Sequence, residues 1–446
     1  MFPTPGLRSA LPGIAWPAIL EGTPAAQVSI LYQLEHSQWW PARTLAQAQF
    51  AQLRQVLAHA AQTVPFYRPR LAGFSMDKWR ELPLLTRTDL QDGFVTLRSN
   101  RLPKKHGKVG VTQTSGSTGQ PVKTVSTQLT NLFWRALTVR EHLWHKRDFS
   151  AKLCAIRVAP GAPGPDGRTA EGWGPATDGL IKTGPIAILS LKTDVGVQAK
   201  WLAHHDPDYL LSYPSNLLAL AQRGVKLKKL REVRTIGETV TPALREAVRE
   251  AWNVPVTDVY SSQEVGYIAL QCPSGSGLYH VQSEALLVEV LDDTGKPCAP
   301  GEVGRIVIST LHNFAMPLLR YDTRDYAEVG GACPCGRGLP TLARVLGRKR
   351  NMLVLPNGEK RWPLTGFVKY REVAPVRQYQ LVQLDLETIE ARLVSERKLT
   401  KEEEAALADV MRSYLGHPFR VRFVHLDAFP PHPGGKFEDF ISLLDH

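Results

Sequence analysis

Cysteine is scarce in these 446 residues: there are five, scattered too widely for the disulfide framework of a small secreted scaffold. Nowhere do 18 apolar residues run together, so no segment reads as a membrane span. The opening stretch MFPTPGLRSALPGIAWPAIL carries four prolines and no continuous apolar core, which argues against a signal peptide. No internal repeat or low-complexity tract is visible. These absences make a cytoplasmic location the expectation. What is present is ordinary for a globular chain, 43% hydrophobic and 22% charged. The length suits two to four domains, or one large and one small. A formal charge of +12 would suit nucleic acid, an anionic surface or small polyanionic substrates. The basic residues are dispersed, however. The densest clusters, KLKKLR (226–231) and GRKR (347–350), are short, and no basic–aromatic stripe or base-reading module accompanies them. Nucleic acid is not an expected partner.

The pattern along the chain predicts an N-terminal helix in RTLAQAQFAQLRQVLAHAAQTVPFYRP, with Thr44 and Gln47 at capping-box spacing. From Lys152 to Gly184 the composition turns Gly/Pro-rich and predicts a long irregular loop near a site. Alternating helix and strand follow, then strands from Glu284 to Thr310, an order that implies α/β layering. The last hundred residues predict a compact α+β unit. In it Thr400 and Glu403 form a capping box, and Gly416 takes the position just past the helix.

TSGSTGQP, Thr114 to Pro121, interleaves four hydroxyl side chains with two glycines. Gly116 and Gly119 let the backbone turn tightly and approach a ligand, while Thr114, Ser115, Ser117 and Thr118 offer oxygens and N–H groups to a polyphosphate. The nearest lysine, Lys123, stands four residues past Gly119, and the Val/Thr-rich flanks predict two strands, so this is a hairpin loop and no Walker motif. Alone, it also fits a plain Ser/Thr/Gly turn.

Further along, VYSSQEVGY (259–267) sets Glu264 four residues after Tyr260, and RYDTRD (320–325) ends in Asp325. LGRKRN supplies Arg348, and PPHPGGKFEDF presents Lys436 on a Gly-Gly turn. Singly these are loop carboxylates, a linker charge and a tail lysine. In this order and spacing they resemble the adenylate-forming ligases, specifically the branch of phenylacetate–CoA ligases and their capsule-biosynthesis-like relatives. The resemblance runs from QWWPARTLAQAQF to GGKFEDF. It implies an α/β protein: a large multi-sheet adenylation domain, residues 1–347, followed by a small mobile α+β domain, residues 348–446.

The resemblance also implies roles. The loop from Thr114 to Gly119 would grip the β- and γ-phosphates of ATP. Glu264 would hold Mg²⁺, Tyr260 would stack on adenine, and the neighbouring Ser261 and Gln263 would line the nucleotide. Asp325 would accept both ribose hydroxyls, with Arg348 assisting, and Glu238 in IGETV falls in the adenine pocket. SYPSN (212–216), with Tyr213 and Ser215, begins the acyl pocket; Tyr213, Trp134 and Trp173 could line an aromatic pocket, although ordinary core or loop packing is the better account of each. Lys436 would bridge the α-phosphate and the carboxylate. The residue chemistry agrees. Attack by a carboxylate on an anionic phosphate needs alignment and charge neutralisation. One carboxylate plus substrate phosphates is a normal Mg²⁺ site, and lysine is a mobile point charge.

Three positions depart from the family pattern. Gln263 stands where Thr or Ser usually precedes the glutamate, Arg324 replaces a small residue, and Arg350-Asn351 replace an acidic hinge. The central carboxylates and Lys436 remain, so adenylation is expected, with CoA as the acceptor of the acyl group or, alternatively, an amine to give an amide. An inactive homologue is a further reading, resting on Gln263 and Arg324. Finally, Cys272, His280, Cys333 and Cys335 make a Cys₃His set suited to structural Zn²⁺, which the resemblance implies; the alternative is three buried thiols and a surface histidine. Cys154 and Cys298 have no such company.

Overall fold

The computed structural model describes residues 7–14, 17–113, 121–158, 164–348, 351–363, 367–429 and 438–444. The loop Thr114–Gly119, the hinge residue Arg350 and Lys436 therefore lie outside the described residues.

A twelve-stranded sheet forms the backbone of the larger unit, and it changes character midway. One half is parallel: Val256–Ser262, Glu232–Ile236, Tyr209–Ser212, Leu153–Arg157 and Ile186–Ser190 lie side by side. Helices Val195–His205, Pro214–Gln222 and Pro242–Trp252 are its crossovers. Covered strands need apolar residues on both faces, which LCAI and IAIL supply. The crossovers start where the chain offers caps. Asp194 accepts from the N–H groups of Gly196 and Val197, and Thr241 accepts from that of Leu244. The other half is antiparallel: Gly266–Gln271, Tyr279–Val281, Thr341–Arg348, Tyr321–Val329, Val303–Thr310 and Leu286–Leu291. The switch falls between Ser262 and Gly266, whose φ of +80° makes the tight reversal cheap.

The two strands predicted on either side of residues 114–119 are present: Val109–Gln113 pairs antiparallel with Lys123–Thr127, Gln113 opposite Lys123. Val122 and Val125 pack with Leu311, Met316 and Leu319, and Asn313 Nδ2 donates to the Val125 carbonyl. Helix Ala42–Thr63 covers the same cluster through Leu53, Val56 and Ala60. It begins before the expected cap. Pro41, at φ −55°, already leads into the helix, so Thr44 lies within its first turn and forms no capping box. The stretch from Lys152 to Gly184 is also more ordered than expected, since Leu153–Arg157 and Arg168–Ala170 are strands of the large sheet.

Beyond Arg348 a separate core forms. Val376–Gln383 and Thr388–Ser395 pair antiparallel, flanked in parallel by Phe440–Ser442 and Arg420–His425. Helices Phe367–Val373 and Lys401–Leu415 accompany them, around Tyr370, Met411 and Phe419. Thr400, Glu403 and the left-handed Gly416 cap the longer helix as the sequence predicts. Leu218 and Ala243, from two crossover helices of the large unit, pack against this second core. Among the described residues no helix is long and apolar enough to cross a membrane.

Candidate active site

The switch from parallel to antiparallel pairing ends one strand at Ser262 and starts the next at Gly266, leaving Glu264 in the turn. Tyr260 lies just before it, with its ring in the sheet core and its hydroxyl donating to Asp325 Oδ2 at 2.9 Å. Burial, then the Asp325 charge, holds the Tyr260 phenol well above its ordinary value, so it acts as a donor. Asp325 faces Arg348 across the strand pair, with Arg348 Nε 4.0 Å from Oδ1. Three residues from three separate stretches thus meet through Asp325. Ser261 is half-buried beside them and Gln263 is exposed.

Arg87 was not legible as a site residue. Thr86 and Asp89 form a capping box that starts helix Arg87–Asp92, and Leu85 bridges to Tyr321. Arg87 is thereby held 3.9 Å from Glu264 Oε1, both side chains nearly buried. The only sequence signal was T-x-x-D, which marks a helix start and says nothing of its distant partner. A hard carboxylate oxygen suits Mg²⁺ when substrate phosphates complete the shell, and an arginine beside it adds positive charge where those phosphates would lie.

Arg324 adopts φ +64°, its N–H bonded to Asp322 Oδ1 at 2.8 Å. That left-handed backbone explains why a small residue suits this position. Arg348 leads into Asn351, which accepts from the Arg348 N–H at 3.2 Å and donates to the Phe440 carbonyl at 2.7 Å. The end of the large sheet is thereby tied to the second core.

Glu238 and the SYPSN turn sit together. The Glu238 carboxylate accepts from the Ser215 N–H at 2.9 Å and from Ser215 Oγ at 3.0 Å. Tyr213 is half-buried, and burial followed by the Glu238 charge raises its phenol. Trp134 is partly exposed near Gly266, whereas Trp173 is core, donating to the Ala151 carbonyl and packing on Phe149 and Tyr209.

The four predicted metal residues converge as well. Cys272 follows one strand of the switch hairpin, His280 lies on Tyr279–Val281, and Cys333 and Cys335 occupy the turn before Thr341. Their donor atoms all fall within 4.8 Å of one another, with Cys272 to Cys333 Sγ at 3.6 Å and Cys335 Sγ to His280 Nε2 at 3.3 Å. Ligands at tetrahedral zinc distances lie about 3.5–3.8 Å apart, so three thiols and one imidazole fit such an ion. Burial, then Arg337, brings His280 down to about 4, keeping the imidazole neutral as a ligand must be. Burial opposes ionisation of Cys272, yet hydrogen bonds from Ser274 and Ser276 bring its thiol down to about 7.

No family model matches the chain. It is 29% identical over 344 residues, 71% of this chain and 73% of the relative, to a phenylacetate–coenzyme A ligase of Thermus thermophilus. It is 26% identical over 366 residues, 75% and 78%, to one from Escherichia coli. Among solved structures it is similar to a 2-hydroxyisobutyryl-CoA ligase in its postadenylation state. That match has 19% identity and a TM-score of 0.72, over 92% of this chain and 91% of the other. The same ligase in its thioesterification state gives 0.58 at the same identity and coverage. With a half-parallel, half-antiparallel sheet followed by a small α+β unit, the chain belongs to the adenylate-forming superfamily of AMP-forming ligases.

Proposed function

We propose that this protein joins a carboxylic acid to the thiol of CoA through an acyl-adenylate, with an aromatic acid as its substrate. In the first step a carboxylate oxygen attacks the α-phosphorus of ATP, the bond to the β-phosphate oxygen breaks, and pyrophosphate leaves with the electron pair. In the second the CoA sulfur attacks the acyl carbon, AMP departs, and the thiol proton is lost to solvent. The observation that carries the reading is the meeting of Tyr260, Asp325 and Arg348 beside Glu264, at the switch in strand direction. The relatives named phenylacetate–coenzyme A ligase support the aromatic acid and the CoA acceptor.

In this reading the loop Thr114–Gly119 holds the β- and γ-phosphates, Asp325 the ribose, and Lys436 the α-phosphate and carboxylate. Glu264 would hold Mg²⁺, which would supply positive charge to the departing pyrophosphate. Cys272, His280, Cys333 and Cys335 would hold a structural zinc, fastening the strand after Glu264 to the segment after Asp325. The second unit, residues 348–446, would turn about Lys349-Arg350-Asn351 to exchange Lys436 for an acceptor-facing surface.

The test is acid-dependent ATP–pyrophosphate exchange over a panel of carboxylic acids beginning with phenylacetate, followed by thioester detection with CoA. A charge about 4 Å from an anionic transition state contributes about 4 kcal/mol at an effective dielectric of 20, or roughly a thousandfold in rate. Lys436→Ala should lose about that much exchange. Near-normal exchange in the variant would sink the lysine's role, and the absence of exchange with every acid would sink the ligase reading.

A further inference from the structure

Glu238 lies beyond the strand Glu232–Ile236, where the resemblance expects an adenine contact, yet both its carboxylate oxygens are engaged elsewhere. Oε2 accepts from the Ser215 N–H at 2.9 Å and Oε1 from Ser215 Oγ at 3.0 Å. Ser215 is in the first turn of helix Pro214–Gln222, whose N-cap, Tyr213, contributes no side-chain cap. A helix start leaves N–H groups unsatisfied and carries partial positive charge. Glu238 answers both from a different loop. One turn further along, Leu218 of the same helix packs against the core of the second unit, as does Ala243. The next residue after Glu238, Thr239, lies against the end of the large sheet: a Cβ added to Gly347 would lie 3.1 Å from Thr239 Oγ1. Glu238 thus braces the helix whose first turn, by the resemblance, begins the acyl pocket and whose second turn meets the second unit.

We infer that Glu238 is a positioning residue for the acid, acting through Ser215 and the Tyr213-Pro214-Ser215 turn, and makes no energetically important contact with adenine. The inference deepens the ligase reading and rests on it. Glu238→Gln keeps the volume but sets an amide where an oxygen now accepts from Ser215. Phenylacetate is the probe acid, and two quantities are read on the full-length protein: the KM for phenylacetate in pyrophosphate exchange, and the Kd for ATP by calorimetry. The expected result is a rise of about tenfold in the phenylacetate KM, with the ATP Kd within twofold of the unaltered protein. Ser215→Ala should show a smaller rise, and Ser215→Ala combined with Glu238→Gln no more than Glu238→Gln alone, as coupled residues do. A tenfold loss of ATP affinity with an unchanged phenylacetate KM would make Glu238 a nucleotide contact and overturn the inference, as would additive effects of the two substitutions. An unaltered protein that binds no ATP overturns the ligase reading, and this one with it. One that binds ATP but gives no exchange with phenylacetate removes the aromatic acid; the ATP Kd of Glu238→Gln then still decides against a positioning role if it rises tenfold.

Discussion

At the scale of single residues, the candidate site consists of side chains whose partners lie far away in sequence. Tyr260 and Asp325 are 65 positions apart and joined by one hydrogen bond. Such a bond to a charged acceptor contributes about 1.5–3 kcal/mol. Tyr260→Phe should therefore lower stability by about that amount, read as a shift in the urea midpoint with an unchanged slope. No shift would mean that the hydroxyl does not hold Asp325. The acidic residues themselves were legible, because Glu264 and Asp325 each end a strand-like run in a recognisable motif. Arg87 was not, because nothing local distinguishes it from any arginine opening a helix; only the bridge of Leu85 to Tyr321 brings it to Glu264.

At the scale of elements, the antiparallel half of the sheet gathers the Cys₃His cluster. Cys272 directly follows the strand Gly266–Gln271, His280 lies on the strand paired with it, and Cys333 and Cys335 arrive on the connection between Tyr321–Val329 and Thr341–Arg348. Glu264 lies in the turn just before Gly266–Gln271, and Asp325 is midway along Tyr321–Val329. A metal there would stiffen both sides of the site without entering the chemistry. Freshly purified protein should contain one equivalent of zinc by elemental analysis. Cys333→Ser should lose the metal and lower the melting temperature, and prolonged chelation of the unaltered protein should do the same. Structural zinc contributes on the order of 10 kcal/mol in small peptides; here a large core surrounds the site and the effect should be smaller. Metal-free protein of undiminished stability would rule the ion out.

At the scale of the whole molecule, two neighbouring residues on helix Gln128–Trp144 join its parts. Arg140 donates to Gln282, to Glu284 and to the Leu34 carbonyl, tying the first helix, Gly22–Ser37, to the antiparallel half. Glu141 turns to the other side and pairs with Arg147 and with Arg234 of the parallel half, while Arg147 also binds Glu232 in bidentate fashion. Burial alone would raise the Glu141 carboxyl, but Arg147 and Arg234 hold it well below its ordinary value. Glu232 is likewise lowered by Arg147 against its own burial. Carboxylates depressed in the folded state stabilise it fully above their unfolded pKa, about 4.3. That stabilisation is lost as pH falls below this value toward the folded one. The urea midpoint should therefore begin to fall below about pH 6.5, where burial keeps His142 and His312 from charging in the folded state, and fall more steeply below about pH 4.3 as these carboxylates protonate. Glu141→Gln leaves buried arginines short of a partner and should cost about 3–5 kcal/mol at pH 7, while flattening the acid slope. An unchanged slope in that variant would place the acid sensitivity elsewhere.

What the sequence determined by itself was local or ordered along the chain. Strand and helix periods marked the α/β layering, Val/Thr flanks marked the strand pair Val109–Gln113 and Lys123–Thr127, Thr400 with Glu403 marked a helix start, and the order of short motifs marked the superfamily. Each depends on contacts within a few residues, or on spacing that the chain carries in one dimension. The tertiary structure alone decided the rest. It put Pro41 and not Thr44 at a helix start, turned Trp173 into core, brought Arg87 to Glu264, and spent the Glu238 carboxylate on Ser215. Those outcomes follow from which strand lies beside which, and in this protein from the turn between Ser262 and Gly266, where the sheet stops running parallel and reverses.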